Sequence, residues 1–343
     1  MNQADMMFMI YNQLGTHMWK PRQPLNHHGR YVADKVLDFE ANWRRRMEYA
    51  RKSGANAALV DVAEMMQYPS HPEIWIDGAW SAEKMNGWVK WLKSLGYRDV
   101  IPSLNFSCTH DEWLGEYSRM ISTPQYYRVC SDLLKDVYEA FDKPRFINFG
   151  MDEEDPNIQW AREIMMKDAI YIVRQGELFW HDTLFFIKEI EKLGARAFMW
   201  SDKLWYGRDE FAKHIPRSVL QSNWFYGRSF DLDKIPTWMH KEVRGYSILD
   251  ELGYDQVPGC SHYIHDFEAK EFRLEDNPNI GETFRYCKKT ISPERLKGFH
   301  VMSWTGVTPD GDKGFYLACD MMRDAIAANY PEMCPLGNSA VKP

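Results

Sequence analysis

The sequence predicts a (β/α)8 barrel, and three observations lead there. Short apolar runs ending in polar residues recur eight times along the 343 residues. Most gaps between them carry apolar residues at three- and four-residue spacing, and several of these helical stretches stop at a glycine just before the next strand. Strands alternating with helices build a parallel sheet covered by helices, and eight such units close into a barrel. Because both faces of such strands are covered, they read as continuous apolar runs.

The first strand, Phe8-Met-Ile-Tyr11, leads to Asn12 and His17. Ala57–Val60 leads to Asp61 and Glu64, and Val100–Leu104 to Asn105, His110 and Asp111. The fourth strand starts at Arg145, stops at Gly150 and then presents Asp152, Glu153, Glu154 and Asp155 in a row. Arg196–Trp200 leads to Asp202, Val219–Ser222 to Asn223 and Trp224, Tyr246–Leu249 to Asp250 and Glu251, and Phe299–Ser303 to Trp304. Helical spacing covers 36–52, 81–95, 123–141, 177–193, 231–241, 280–289 and 313–329, with Gly54, Gly96 and Gly194 as stop signals.

Division by length alone would suggest two domains, but barrels of this class reach this size with insertions. No Gly/Ser/Pro-rich linker, low-complexity tract or longer repeat interrupts the pattern, so one domain over 1–343 is expected, with an irregular tail from about residue 330. Two connections, 13–31 and 252–279, are long enough to lie over the C-terminal rim, and long loops in compact domains are usually functional.

A net charge of −7 and a pI near 5.9 argue against a nucleic-acid partner. No stretch approaches the ~18 apolar residues of a membrane span. The start Met-Asn-Gln-Ala-Asp lacks a positive segment followed by an apolar core. A soluble chain is expected, periplasmic or secreted if an export signal has been trimmed and otherwise cytoplasmic. The six cysteines form no CxxC pair and no regular spacing, so neither a zinc site nor a disulfide framework is indicated, and no cofactor is expected.

The polar ends of barrel strands are where this fold puts its chemistry. Asp152 and Glu153 are therefore the leading catalytic candidates, against the alternative of a solvated acidic turn capping the next helix. Of the fourteen tryptophans, Trp43, Trp88, Trp91 and Trp180 sit in helical patterns as core. Trp19, Trp75, Trp80, Trp113, Trp160, Trp200, Trp205, Trp224 and Trp304 fall at or beyond strand ends. An indole offers a broad apolar face and one N–H donor, which suits the C–H face of a sugar while carboxylates bind its hydroxyls. Carboxylates and tryptophans at one rim point to a carbohydrate ligand. Asp250 or Glu251 could pair with Glu153 as a second catalytic carboxylate, at about 5 Å for retention or roughly 6.5–9.5 Å for inversion, or form a salt-bridged rim. Asp61 and Glu64 have the same two readings. His17, His27, His28 and His110 are hydroxyl-binding or plain surface histidines.

Asn148-Phe-Gly-Met-Asp-Glu153 resembles the His-x-Gly-Gly-Asp-Glu signature at the end of the fourth barrel strand in glycoside hydrolase family 20, the β-N-acetylhexosaminidases. Phe198-Met-Trp-Ser-Asp-Lys203 is similar to that family's fifth-strand Trp-x-Asp segment, and Gly298-Phe-His-Val-Met-Ser-Trp-Thr305 to its last strand. The resemblance implies substrate-assisted retention, an exception to the two-carboxylate scheme. Glu153 would be the general acid, Asp152 would orient the substrate's 2-acetamido group, and Trp200, Trp224 and Trp304 would wall the subsite. Asp202 would bind a hydroxyl or support another residue. The sequence departs from the pattern at Asn148, Met151 and Gly306, and lacks the family's first-strand arginine. Three alternatives stay open: a two-carboxylate glycosidase on a non-acetamido sugar; a metal-dependent sugar-processing barrel using Asp61, Glu64, Glu153, Asp202 and Asp250; and a non-catalytic carbohydrate-binding protein on a hydrolase scaffold.

Overall fold

A computed structural model describes residues 5–14, 40–154, 174–262, 264–266, 271–273, 277–305 and 309–334. His17, His27, His28, Trp19, Trp160, Asp155 and Gly306 lie outside these residues.

The described strands are β1 Met7–Gln13, β2 Ala57–Asp61, β3 Asp99–Ser103, β4 Phe146–Asn148, β5 Arg196–Trp200, β6 Leu220–Ser222, β7 Gly259–Ser261, β8 Ile264–Asp266, β9 Glu271–Arg273 and β10 Gly298–Met302. The helices are α1 Glu40–Lys52, α2 Ala82–Ser94, α3 Pro124–Ala140, α4 Glu177–Lys192, α5 Arg208–His214, α6 His240–Glu251, α7 Asn279–Thr290 and α8 Asp312–Asn329. Eight strands form one sheet in the order β6-β5-β4-β3-β2-β1-β10-β7, every pair parallel. The two ends of that order meet: Val257 N–H donates to Gln221 O at 2.8 Å and Gly259 N–H to Asn223 O at 2.7 Å. The molecule is therefore a (β/α)8 barrel, as its sequence predicts, with β8 and β9 as an antiparallel hairpin beyond the seventh barrel strand.

Side-chain alternation along each strand divides the core in two. Met7, Met9, Tyr11, Leu59, Ile101, Phe198, Trp200 and Met302 pack inside the barrel. Phe8, Ile10, Val60, Val100, Ile147, Met199 and Phe299 pack outward against the helices. Each of those two sets, buried away from water, contributes on the order of 1.5–3 kcal/mol per large apolar side chain. The helix stops lie where the sequence puts them, with Gly54, Gly96 and Gly194 all at positive φ. Trp80 and Trp113, expected at the rim, belong to the outer core instead.

The seventh strand is a correction. Tyr246–Leu249 is the interior of α6, and the expected helix over 231–241 is replaced by two short turns around Pro236 before α6 begins. Val243, Tyr246 and Leu249 are all buried at three-residue spacing, the period of a helix face. The true strand, Gly-Cys-Ser, carries almost no apolar signal. Asp250 and Glu251 therefore end a helix, away from the strand ends. Asp250 caps Ser292 through its N–H and hydroxyl at 3.0 and 2.8 Å, and Glu251 pairs with Arg208 at 3.1 Å on the surface.

Candidate active site

The segment after β4 carries unusual backbone. Gly150, Met151 and Glu153 have φ of +74°, +71° and +57°, values that cost non-glycine residues free energy and persist only where the surroundings impose them. Here the surroundings do so at several peptides of the segment. Trp200 N–H donates to Gly150 O at 3.2 Å, and Thr109 Oγ1 and Ser107 Oγ donate to Asp152 O. Asp202 Oδ2 accepts from Glu153 N–H at 2.8 Å, and Lys203 Nζ donates to Glu154 O at 3.0 Å. Asn148, where the resembled signature has histidine, accepts from Ser103 Oγ at 3.0 Å and Gly150 N–H at 3.3 Å, so it fixes the turn from below.

The reversal at Glu153 lets two neighbouring carboxylates face one way, although neighbours on a strand point apart. Asp152 Oδ2 and Glu153 Oε2 lie 3.3 and 3.2 Å from the same atom, Nε2 of buried His110. Asn105 Nδ2 donates to the other oxygen of Asp152 at 2.7 Å, and Asn105 Oδ1 accepts from Ser107 N–H. Both carboxylates keep some access to solvent, 16% for Asp152 and 26% for Glu153. Glu154 turns the other way and is fully buried, paired with Arg174 at 3.2 Å and bonded to Cys108 N–H.

Asp202 closes the cluster from the end of β5. Burial first, then the charge of Asp152 and that of Glu153, push its carboxyl up to about 8. Its Oδ1 has no hydrogen-bond partner, while Oδ2 accepts from the Glu153 peptide. Among the described residues Oδ1 is thus the oxygen left without a bond. Glu242, on α6 within electrostatic reach of Asp202, is likewise pushed up to about 8 by burial.

An aromatic row borders the carboxylates. Tyr11 packs on Trp304 at 5.1 Å, Trp304 on Tyr226 at 6.3 Å, Tyr226 on Trp224 at 5.2 Å and Trp224 on Trp205 at 4.6 Å. The Trp304 indole also hydrogen-bonds the Tyr226 hydroxyl, whose proton is held more tightly by burial and by the charges of Asp152 and Glu153 nearby. Trp224, Tyr226 and Trp304 sit on top of the interior core. Trp200 lies just below them, stacked on the buried imidazole of His300 at 5.1 Å. Asp61 ends β2 and accepts from Tyr11 Oη at 3.0 Å.

The fold thus gathers Asp152, Glu153, Asp202, Asn148, Trp200, Trp224, Trp304 and Asp61 at the C-terminal mouth and leaves Asp250 and Glu251 elsewhere. Sequence reasoning missed Tyr226 and Glu242 and saw Asn105 and His110 only as rim polar groups. Tyr226 had a signal, two residues beyond Trp224 in a strand's period of two. Glu242 had none, because its helix was misread. The acids of the metal-dependent alternative, Asp61, Glu64, Glu153, Asp202 and Asp250, form no metal-ligand group among the described residues. Among the described residues, three or more donor atoms come together only at Glu177, Glu210 and His214, largely exposed on the surface.

No protein-family model matches the chain, nor does any curated protein sequence. Solved structures do resemble it. A β-N-acetylhexosaminidase from Bacteroides fragilis has a TM-score of 0.56 at 12% identity, covering 93% of this chain and 66% of that one. A catalytic module of the pneumococcal exo-β-D-N-acetylglucosaminidase has 0.52 at 11%, covering 97% and 88%. An enzyme targeting pectin rhamnogalacturonan II has 0.56 at 10%, covering 96% of this chain and 49% of its own. The chain thus spans about two thirds of the first and half of the third. At these identities the likeness is one of fold.

Proposed function

We propose that this chain is a glycoside hydrolase acting on a 2-acetamido sugar by exo-acting, substrate-assisted, retaining catalysis. The observation that carries the reading is the approach of Asp152 and Glu153 to one nitrogen of His110 beside a row of aromatic rings. The likeness to glycoside hydrolases, two of them acting on N-acetylated hexosamines, supports the substrate class.

Of the two carboxylates Glu153 keeps the greater access to solvent, 26% against 16%, and is the member that carries the acid role. Glu153 then protonates the departing glycosidic oxygen. Asp152, its position fixed by Asn105, accepts the acetamido N–H, and the acetamido carbonyl oxygen attacks the anomeric carbon as the glycosidic bond breaks. Glu153, now a carboxylate, takes a proton from the water that opens the resulting ring, which restores the original configuration. His110 donates to whichever oxygen carries the greater charge. Trp200, Trp224 and Trp304 would wall the sugar, and Asp202, as a neutral acid behind Glu153, spares the site a third negative charge.

The test is hydrolysis of aryl glycosides with and without a 2-acetamido group by the wild type and Glu153→Gln. Turnover confined to 2-acetamido substrates and reduced at least 10³-fold in the variant is expected, in line with loss of a general acid. Turnover of plain glycosides, or wild-type rates in Glu153→Gln, would refute the assignment.

A further inference from the structure

The aromatic row does not stop at the mouth. Trp205, its last member, is held by an indole N–H donation to Asn223 Oδ1 at 2.7 Å. It also lines a separate groove of about 550 Å³ between the segment after β5 and the outer face of α6. That volume lies within the ~300–1,000 Å³ range of small-ligand sites. Around Trp205 and Tyr206 the groove presents Arg208, Lys241 and Arg244 along with His240, and no carboxylate among the described residues lining it. This is a cationic surface on a chain of net charge −7, next to a mouth built of carboxylates. The Lys241 ammonium lies over both rings, 4.1 Å from Tyr206 and 5.7 Å from Trp205, so cation and aromatic faces form one surface. Arg208 is occupied by Glu251, which leaves Lys241 and Arg244 as the cations a ligand would meet.

From these features we infer that the groove is a further subsite that binds an anionic sugar unit, one bearing a carboxylate or a sulfate, while a neighbouring unit occupies the mouth. The inference rests on the reading of the mouth as a sugar site and narrows the substrate to an acidic oligosaccharide. The ring faces of Trp205 and Tyr206 take the apolar side of the pyranose, as the mouth tryptophans do, and Lys241 and Arg244 select the charge. The Trp205–Trp224 contact, 4.6 Å between ring centroids, joins the lining of the groove to the aromatic row of the mouth.

Isothermal titration calorimetry on the Glu153→Gln protein, which keeps the probes intact, tests this with four tetrasaccharides. Chitotetraose is uncharged. A hyaluronan fragment carries carboxylates and 2-acetamido groups, a chondroitin sulfate fragment adds sulfate, and an oligogalacturonate carries carboxylates without acetamido groups. At low salt at least one acidic probe should bind about ten-fold or more tightly than chitotetraose, with the advantage shrinking as salt screens the pairing. The advantage should fall to within about two-fold when Lys241→Gln and Arg244→Gln are combined, and persist when Lys241→Arg and Arg244→Lys are combined. The better of the sulfated and carboxylated probes identifies the anion. Equal binding of acidic and neutral probes, or a preference that survives the glutamine pair, would overturn the inference. The two readings fail separately. Tight oligogalacturonate alone keeps the groove and removes the acetamido mouth, whereas tight chitotetraose with no acidic preference does the reverse.

Discussion

Position 150 shows how much of the mouth depends on single atoms. A β-carbon there would lie 1.9 Å from Asn105 Oδ1 and 2.9 Å from Asn105 Cα, at a φ of +74°. The side-chain oxygen could swing away, but the backbone atom could not, and Asn105 is the residue that holds Asp152. Gly150→Ala should therefore cost at least about 2 kcal/mol, combining left-handed strain with the clash. It should also lower turnover beyond what the stability loss explains, as read from urea midpoints and kcat side by side. An alanine variant as stable and active as the wild type would remove the close approach from the argument. At Asp202 the expectation concerns pH. The folded chain binds this proton up to about 8, whereas an unfolded aspartate releases it near 3.8. The stabilisation is complete below the lower value, falls as pH rises through the window and is gone above the upper one, at no more than about 1.4 kcal/mol per pH unit. Asp202→Asn mimics the neutral acid and should make that decline smaller, so the fall in unfolding free energy from pH 5 to pH 8.5 should be less in the variant than in the wild type, with the share of Glu242 remaining. Identical slopes in both proteins would mean the proton is not held there. Sequence reading brought Asp152, Glu153 and Asp202 to strand ends because carboxylates cannot continue a buried strand. It could not see that His110, forty-odd residues away, bridges two of them, since that depends on how the loop after β3 folds back.

Among the elements, one buried side chain ties the loop after β4 to its neighbours. Arg174, buried, pairs with Glu154 of that loop at 3.2 Å and with Asp182 of α4 at 2.8 Å. It also donates to Phe106 O after β3 and to Tyr126 Oη of α3 at 3.2 and 2.9 Å. Four elements thus meet on one guanidinium. Replacing it with methionine would strand two carboxylates in a low-dielectric interior, and breaking such a pair from one side costs roughly 3–5 kcal/mol. Arg174→Met combined with Glu154→Gln should recover part of that loss, giving a coupling of about 1 kcal/mol or more in a double-mutant cycle. Strict additivity would show that Glu154 is held by its contact with Cys108 N–H instead. The fold's legibility also varied by element. Strands with apolar residues on both faces announced themselves, and so did helices that close on a glycine. Tyr246–Leu249 misled because a short, largely apolar run fits a strand as well as one turn of a helix, and the preceding Val243 distinguishes them. The true seventh strand, Gly-Cys-Ser, is held mainly by its neighbours' backbone, with Cys260 as its one apolar core side chain.

At the scale of the whole molecule, that same dependence bears on whether the chain behaves as one unit. Barrel closure rests on β6 and β7, three residues each, joined by backbone bonds from Val257 and Gly259. No strand there could persist without the rest, since each has both edges paired and both faces covered. We therefore propose that the described barrel unfolds as a single cooperative domain, and the cysteines provide built-in reporters. Cys108, Cys130, Cys260, Cys287 and Cys319 are buried free thiols in the loop after β3, α3, β7, α7 and α8, and Cys334 alone is partly exposed. Burial raises the proton affinity of the five, most plainly in Cys260 and Cys287, and a thiol that is neither accessible nor ionised does not react. In native protein an aromatic disulfide reagent should label one thiol quickly, and in strong denaturant all six. Through intermediate urea the five slow thiols should share one midpoint, equal to that of the tryptophan fluorescence change. Two separated midpoints, with Cys108 and Cys130 parting from Cys260, Cys287 and Cys319, would divide the barrel into halves that unfold independently. A dithiol reductant should leave the thermal midpoint unchanged, because none of these six sulfurs is engaged in a disulfide. A drop would reveal a crosslink on which the fold relies and which this arrangement of thiols does not contain.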